Sequence, residues 1–219
     1  MRTRVKICGI TRVEDGIAAA EAGADAIGLI FWPRSPRYVE LERARSIAAA
    51  VPAFVTVVGL FVDPEPEQVR AALAFVPIGA LQFHGDEPPE LCASFGRAYI
   101  KAVKVRPEVD LLQYAAGYST AHALLFDAFQ PGGMPGGTGT TFDWTRLPHE
   151  LKDPMARRLI LSGGLTPQNV GAAVRAVRPW AVDVSSGVEE RDATGTPRRG
   201  LKSAARIVEF IEQVRDADG

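Results

Sequence analysis

Residues 159–187 have the sequence LILSGGLTPQNVGAAVRAVRPWAVDVSSG, which predicts an apolar strand, a Gly-Gly turn, a helix and a second strand ending in Ser-Ser-Gly. The turn after the first strand predicts Thr166 as the helix cap and Pro167 as the first helical residue. Gly163 and Gly164 would let a ligand approach the backbone closely, and the free N–H groups at a helix start favour an anion. This stretch therefore predicts an anion-binding turn between a buried strand and a helix.

Ser185, Ser186 and Gly187 repeat this pattern after the next strand and add two hydroxyl groups. Two anion-favouring loops on successive strands predict one shared phosphate, and (β/α)8 barrels commonly hold a phosphate after strands 7 and 8. Ordinary strand-to-helix turns are also rich in Gly and Ser, so the pattern alone leaves both interpretations open.

The composition is that of a globular protein without a basic surface. The 219 residues suffice for one large α/β domain or two small ones, and 47% of them are apolar. The formal net charge of -1 argues against a nucleic-acid partner. No apolar run approaches the roughly 18 residues of a membrane span, and the N-terminus leads directly into a strand, so we expect no membrane partner and no signal peptide. Cys8 and Cys92 are too few for a disulfide framework or a tetrahedral zinc site, and we expect a cytoplasmic protein.

Short β-branched runs alternate with amphipathic helices along the whole chain. Eight strands, each followed by a helix, predict a single α/β domain over residues 1–219, a (β/α)8 TIM barrel with eight parallel strands. Periodicity alone leaves a doubly wound open sheet as the alternative. The predicted strands lie near residues 4–8, 25–31, 54–61, 78–83, 98–105, 122–127, 158–162 and 181–185. The predicted helices lie at about residues 13–22, 40–50, 65–76, 87–95, 108–117, 142–150, 167–178 and 201–215.

The longest irregular stretch is residues 129–141, FQPGGMPGGTGTT, which is rich in Gly and Pro. A long loop inside a compact fold is usually functional, so this one predicts a lid or a ligand clamp. A tolerated surface insertion is the alternative.

Two candidate acid–base residues end predicted strands, where the active sites of barrels lie. Cys8 ends the first strand, and Lys6 lies on the same side of that strand, where its charge could favour the thiolate. Many free cysteines are simply buried, which is the alternative. Asp127 ends the sixth strand after an apolar run, and a buried carboxyl needs partners. At a barrel mouth it predicts a general acid, a base or a metal ligand; with no second ligand at suitable spacing, we predict no metal site.

Further polar residues are candidates for substrate binding. Asp183 lies in the eighth strand and could organise the phosphate loops, bind a substrate hydroxyl or satisfy backbone donors, and we favour the supporting role. Arg37 lies in a Pro-rich loop after the second strand, where its planar charged group suits a carboxylate or a second phosphate. Arg34 is a near neighbour and an alternative ligand. His84 ends the fourth strand, and we predict a hydrogen-bonded structural role for it.

The order of strands in a closed barrel places these candidates relative to one another. Strands 7 and 8 lie between strand 6 and strand 1, so a phosphate held on loops 7 and 8 would place its sugar between Asp127 and Cys8. The loop that carries Arg37 lies just beyond strand 1. This layout predicts a small phosphosugar substrate flanked by an acid and a base, with a carboxylate-bearing group on the far side.

The residues named above lie in segments that resemble the phosphoribosylanthranilate isomerase family of tryptophan biosynthesis. The Cys-bearing first strand together with DVSSGVE is specific, since other phosphate-binding barrels share only the glycine turns. One departure is GLKS at residues 200–203, where the family often has Gly-x-Lys-Asp; it affects the last helix rather than the proposed chemistry. The matching segments are VKICGIT at 5–11, GLIFWPRSPRY at 28–38, VGLFVD at 58–63, LQFHGDE at 81–87, LLFDA at 124–128, GGTGTTFDW at 136–144, LSGGLTPQNV at 161–170 and VDVSSGVE at 182–189.

The resemblance implies an Amadori rearrangement of N-(5-phosphoribosyl)anthranilate. Asp127 would be the general acid that opens the furanose, a role that needs a carboxyl protonated near neutral pH, and an apolar strand end favours that form. Cys8 would be the general base that takes the proton next to the imine. Arg37 would hold the anthranilate carboxylate, and loops 7 and 8 the phosphate. The reaction involves no redox change or group transfer, so the resemblance implies no cofactor, and the chain could be a monomer or a homodimer.

Three alternatives differ in testable features. A histidine-pathway isomerase on the same barrel usually has carboxylates on both catalytic strands, so Cys8 distinguishes the two families. A non-catalytic phosphosugar-binding barrel would bind a product analogue without turnover. A thiol redox protein is disfavoured because the sequence has no Cys-x-x-Cys motif.

Overall fold

The predicted strands form one closed barrel in which all neighbours are parallel. The computed structural model describes residues 2–106, 109–128, 147 and 158–219. The strands pair in chain order, and β8 closes on β1 with Lys6 beside Asp183. The (β/α)8 barrel is therefore confirmed over the open sheet, which would have two unpaired edges. The barrel strands are β1 Arg4–Cys8, β2 Ala26–Ile30, β3 Thr56–Phe61, β4 Ala80–Phe83, β5 Tyr99–Val105, β6 Ala123–Ala128, β7 Leu159–Leu161 and β8 Ala181–Val184.

Helices follow the strands on the outside of the barrel. The predicted loop at 129–141 and most of the predicted helix at 142–150 lie outside the described residues, apart from Leu147, which is buried. In the part of the chain that is described, the helices are α1 Val13–Ala22, α2 Leu41–Ala50, α3 Pro66–Phe75, α4 Pro89–Ala93, α5 Leu111–Gly117, α6 Val170–Val177 and α7 Ala204–Asp218.

Alternate residues of each strand face two different layers, because side chains on a strand point to opposite faces. Ile7, Leu29 and Phe83 are fully buried in the main core between sheet and helices. Their neighbours on the inner face include Lys6 and Cys8, which point into the barrel and are also buried. The strands are apolar in near-continuous runs because both faces are covered. The polar residues inside the barrel are therefore exceptions that need a specific reason.

The helix after β7 begins later than the sequence predicts. Val170 is the first residue of α6, so Pro167 is not helical and Thr166 is not the cap. The side chain of Asn169 accepts a hydrogen bond from the Thr166 backbone N–H at 2.8 Å and donates to the Gly164 carbonyl at 2.9 Å. These bonds close a separate turn before the helix, which explains the later start.

A two-stranded antiparallel hairpin follows β8 and is absent from the sequence prediction. Its strands are β9 Glu189–Arg191 and β10 Pro197–Lys202. Asp192 accepts hydrogen bonds from the backbone N–H groups of Thr194 and Thr196 at 2.9 and 3.0 Å, and Gly195 has φ of 84°. The bonds from Asp192 to the residues that follow it, together with the left-handed Gly195, form a tight turn. The alternation of strands and helices in the sequence gives no sign of this turn.

The last helix starts at Ala204 rather than at 201, because residues 201 and 202 belong to β10. Ser203 caps it by accepting a hydrogen bond from the Arg206 backbone N–H at 3.4 Å. None of the helices in the described ranges is both long and apolar enough to span a membrane.

Candidate active site

A cavity at the C-terminal ends of the barrel strands brings most of the predicted site residues together. Cys8 of β1 and Asp127 of β6 both line it. Asp183 of β8 and Arg37, from the loop after β2, line it as well. All four are about 95% buried, so each one contacts the cavity with only a small part of its surface.

Cys8 lies in a network of buried charges on β1 and β8. Lys6 Nζ donates a hydrogen bond to Asp183 Oδ1 at 2.7 Å, and Ser162 Oγ donates to Asp183 Oδ2 at 3.3 Å. Burial raises the pKa of the Cys8 thiol, and the charge of Lys6 lowers it by less. Lys6 thus favours the thiolate as its position in the sequence predicts, but burial decides the net direction. Burial by itself lowers the pKa of Lys6. The charges of Asp183 and Cys8 together raise that pKa by more, so the net shift is upward.

Gly28 of β2 gives the Cys8 sulfur its space. Gly28 pairs with Cys8 across the two strands. A Cβ at this position would lie 2.7 Å from Cys8 Sγ, closer than real Cβ atoms come to a neighbour, and a tight 3.2 Å from Lys6 Nζ. The sequence analysis did not identify this residue, although a Gly within a strand is a signal of close approach.

Asp127 lies in a different environment, beside an imidazole and an amide at the C-terminal end of β4. His84 Nε2 is 3.2 Å from Asp127 Oδ2, and Gln82 Nε2 is 3.0 Å from His84 Nδ1. Among the described residues, His84 is the only basic side chain within ion-pair distance of Asp127. His84 has the hydrogen-bonded role that the sequence predicts. Gln82 was missed, although its place two residues before His84 puts both side chains on one strand face.

The two loops predicted to hold phosphate lie next to each other in the cavity wall. Gly163 and Gly164 have φ of 87° and 62°, left-handed values that favour glycine. Ser185 and Ser186 also line the cavity. Gly187 does not line it; a Cβ there would overlap the carbonyl oxygen of Leu165 in the other loop. Gly187 therefore lets the two loops pack against each other.

Lys202 lies beneath the second of these loops and was not identified as a site residue from the sequence. Its Nζ donates to the Ser185 carbonyl oxygen at 2.9 Å and to Ser185 Oγ at 3.3 Å. Burial lowers the pKa of Lys202 to about 8, against the opposing charge of Glu189. The Gly-x-Lys part of the family pattern was the available signal for this residue.

Arg37 is held in place by a buried carboxylate. Its Nε and Nη2 donate to the two oxygens of Glu189 at 2.6 and 2.9 Å. Glu189 also contacts Lys202 at 3.4 Å, and these partners keep its pKa below the usual value although burial opposes that shift. Arg34 is exposed, lies over the Trp32 ring and is not part of the cavity lining. Arg37 therefore reaches the cavity and Arg34 does not.

Within the described ranges, no group of three or more His, Cys, Asp or Glu side chains could hold a metal ion.

Comparisons with known proteins identify the relatives of this chain. The model of the N-(5'-phosphoribosyl)anthranilate (PRA) isomerase family matches residues 5–213. A protein of Thiobacillus denitrificans named N-(5'-phosphoribosyl)anthranilate isomerase is 53% identical over 98% of this chain and 99% of its own length. The crystal structure of phosphoribosyl anthranilate isomerase from Thermotoga maritima is similar with a TM-score of 0.84 and 43% identity, covering 98% of this chain and 99% of that one.

A second similar crystal structure contains a bound ligand. It is a phosphoribosyl anthranilate isomerase in complex with reduced 1-(o-carboxyphenylamino)-1-deoxyribulose 5-phosphate. Its TM-score is 0.79 at 41% identity, and the match covers 98% of this chain and 99% of that one. The match to the family model and the identity over nearly the full length together show that this chain belongs to the N-(5'-phosphoribosyl)anthranilate isomerase family of tryptophan biosynthesis.

Proposed function

We propose that this chain, as one catalytic domain over residues 1–219, converts N-(5-phosphoribosyl)anthranilate to 1-(2-carboxyphenylamino)-1-deoxyribulose 5-phosphate, with Cys8 as general base and Asp127 as general acid. The observation that carries the proposal is the position of these two groups. The thiol is on β1 and the carboxyl on β6, and the glycine- and serine-bearing loops after β7 and β8 lie between them in one cavity. A sugar anchored by its phosphate between the two groups would have one reacting bond beside the proposed acid and another beside the proposed base.

The reaction needs one proton donated and one removed. Asp127 gives a proton to the furanose ring oxygen, the bond from that oxygen to C1 breaks, and the anthranilate nitrogen forms a Schiff base with C1. The Cys8 thiolate then takes the proton from C2, and the electrons of that bond form an enolamine. The enolamine tautomerises to the ketone, with no net loss of atoms or electrons. Each proton transfer by a positioned group typically contributes about 10²–10⁴-fold to the rate.

The surroundings of Cys8 fit the role of a base. Because burial raises the pKa of Cys8, its thiolate is a stronger base once it has formed. The nearby ammonium of Lys6 offsets part of the cost of forming that thiolate. The buried ion pair with Asp183, at 2.7 Å, also holds the ammonium of Lys6 beside the thiol.

The remaining polar groups would hold the two ends of the substrate. Gly163, Gly164, Ser185 and Ser186 would donate backbone and hydroxyl hydrogens to the phosphate, and Gly187 would keep their loops together. Arg37 would bind the anthranilate carboxylate through the part of its planar group that Glu189 leaves free, since Glu189 uses only Nε and one terminal nitrogen. Asp183 would support this arrangement from β8.

Partners and location beyond the small phosphosugar remain predictions from the sequence. We expect a monomer or a homodimer that acts in the cytoplasm and binds neither nucleic acid nor membrane. Light scattering on the purified chain would give its mass in solution.

The decisive experiment follows the fluorescence of N-(5-phosphoribosyl)anthranilate, generated in the cuvette, as purified protein is added. We expect its disappearance to be accelerated in proportion to enzyme concentration, without added metal or cofactor. The ribotide substrate of the histidine-pathway isomerase serves as the comparison. Absence of turnover with the anthranilate compound, or faster turnover of the histidine-pathway compound, would contradict the proposal.

A further inference from the structure

Gln82 has an unusual environment for a side chain inside a barrel. It is fully buried and lines the active-site cavity. Its Nε2 lies 3.0 Å from His84 Nδ1, while its Oε1 is buried without a hydrogen-bond partner in the described part of the structure. A buried amide with one unpaired atom is costly compared with an apolar residue of similar size. Its presence at this position therefore points to a role in the site rather than in packing.

The contact between Gln82 and His84 determines where the imidazole carries its proton. An amide nitrogen can only donate, so Nδ1 of His84 must accept and cannot itself carry a hydrogen. A neutral imidazole then has its hydrogen on Nε2. This nitrogen is 3.2 Å from Asp127 Oδ2, so His84 is a donor to Asp127.

The donor from His84 in turn determines which oxygen of Asp127 can carry the acidic proton. Two hydrogens cannot share the short space between Nε2 and Oδ2, so the proton of a neutral Asp127 must lie on Oδ1. In the other tautomer of His84, Nε2 would be an acceptor and would bind the Asp127 proton at Oδ2. That hydrogen bond would hold the proton in the side wall of the cavity rather than offer it to the sugar.

We propose that Gln82 is a positioning residue that fixes the Nε2–H tautomer of His84 and so directs the acidic proton of Asp127 to Oδ1, the oxygen that His84 does not contact. This inference rests on the role of Asp127 as general acid proposed above. The same N–H of His84 would stabilise the Asp127 carboxylate after proton transfer. Gln82 thereby supports the acid both before and after it acts.

The first test is the position of the imidazole proton, which needs no substrate. The chain has three histidines, so the ¹⁵N signals of His84 can be assigned by comparison with His122→Gln and His149→Gln variants. Two-bond ¹⁵N–¹H correlation spectra distinguish the two tautomers. We expect wild-type His84 to be protonated on Nε2 alone. In Gln82→Glu the carboxylate can only accept, so Nδ1 should become protonated.

The second test is steady-state kinetics of Gln82→Met, which keeps the volume of the side chain and removes its hydrogen bond. We expect kcat to fall about 10- to 100-fold, the range found when partners that orient ligating histidines are removed. KM should stay within about twofold. Tyr99→Phe is the control, because it removes a partly buried hydrogen bond to Thr120 outside this cavity and should leave kcat unchanged.

The outcomes separate this inference from the proposed function. A wild-type His84 protonated on Nδ1 would overturn it, and so would a folded Gln82→Met enzyme with kcat within twofold of wild type. If Gln82→Met fails to fold, the wild-type spectrum and Gln82→Glu still decide. Lack of turnover by the wild-type protein would count against the proposed function instead, and the tautomer would still be read from the ligand-free spectrum.

Discussion

The two sides of the active-site cavity surround the two proposed acid–base groups with different kinds of side chain. The charged wall, formed by Lys6, Cys8 and Asp183 on β1 and β8, surrounds the thiol with ionised groups. The opposite wall, formed by Gln82 of β4, His84 just after β4 and Asp127 of β6, surrounds the carboxyl with an amide and an imidazole. A buried thiol needs a nearby cation to become a thiolate, whereas a general acid must not be held in its ionised form by a permanent cation. The proposed base and the proposed acid therefore lie in surroundings that suit their different roles.

The largest expected effect comes from removing the reacting groups, one from each wall. Cys8→Ala and Asp127→Ala should each lower kcat by several orders of magnitude, and by at least the roughly 10²–10⁴-fold that a general acid or base contributes. Both variants should still bind a reduced product analogue, because the phosphate loops are untouched. Turnover assays and calorimetric titration would check this, and near-normal turnover of either variant would refute the roles of the two walls.

A smaller effect, confined to the charged wall, is expected for Gly28→Ala. The added Cβ would lie 2.7 Å from Cys8 Sγ, so the sulfur must move. A displacement of about 1 Å can cost on the order of 10²-fold in rate, and we expect a loss in kcat of about that size. Gly117→Ala is the control, because a Cβ there meets no atom within 4 Å. Unchanged kcat in Gly28→Ala would show that the position of the sulfur is not critical.

Arg37→Ala tests whether the charged wall extends to the substrate carboxylate. Loss of hydrogen bonds to a charged group costs about 1.5–3 kcal/mol, so KM should rise about 10- to 100-fold with a smaller change in kcat. Arg34→Ala should leave KM unchanged, since Arg34 is exposed and does not line the cavity. An unchanged KM in the Arg37 variant would move the carboxylate site elsewhere.

The smallest effect concerns the pH dependence of Cys8. Only the thiolate is alkylated, so the rate with iodoacetamide rises with pH through the pKa of the thiol. Because burial raises that pKa, the midpoint should lie above the ordinary value of about 8.5. Measurements in a Cys92→Ala background exclude the other cysteine.

Lys6→Met in the same background should move this midpoint further upward. The substitution removes the cation that lowers the pKa of Cys8 and takes away the ammonium that pairs with the Asp183 carboxylate. It should also destabilise the fold by about 3–5 kcal/mol, the usual cost of breaking a buried ion pair. A midpoint that stays in place would mean that Lys6 does not act on the thiol.

The sequence was sufficient for the parts of this protein that depend on local pattern. The barrel strands lie within two residues of their predicted bounds, because short apolar runs are typical of parallel strands that are covered on both faces. Cys8 and Asp127 could be selected because a polar group at the end of such a strand conflicts with its apolar surroundings. The expectation of a phosphoribosylanthranilate isomerase is confirmed by the family match.

The hairpin of β9 and β10 and the late start of α6 could not be predicted in the same way. Both depend on single side chains, Asp192 and Asn169, that bond to backbone groups a few residues away. These bonds interrupt the regular alternation of strands and helices. Gln82, Gly28 and Lys202 were missed for a related reason. Gly28 and Lys202 act on Cys8 and Ser185, which are distant in sequence, and Gln82 contacts Asp127 only through His84, so the sequence does not show that these residues belong to one site.

The sequence by itself determined which elements form, in which order, and which residue types end the strands, because these follow from periodicity and from the chemistry of single side chains. Only the tertiary structure decided how the residues act on one another. Closure of β8 onto β1 puts Asp183 beside Lys6, and the pairing of β1 with β2 puts Gly28 beside Cys8. Burial in this closed barrel then sets the direction of the Cys8 pKa, since desolvation depends on what surrounds a group in space and not on its neighbours in the chain.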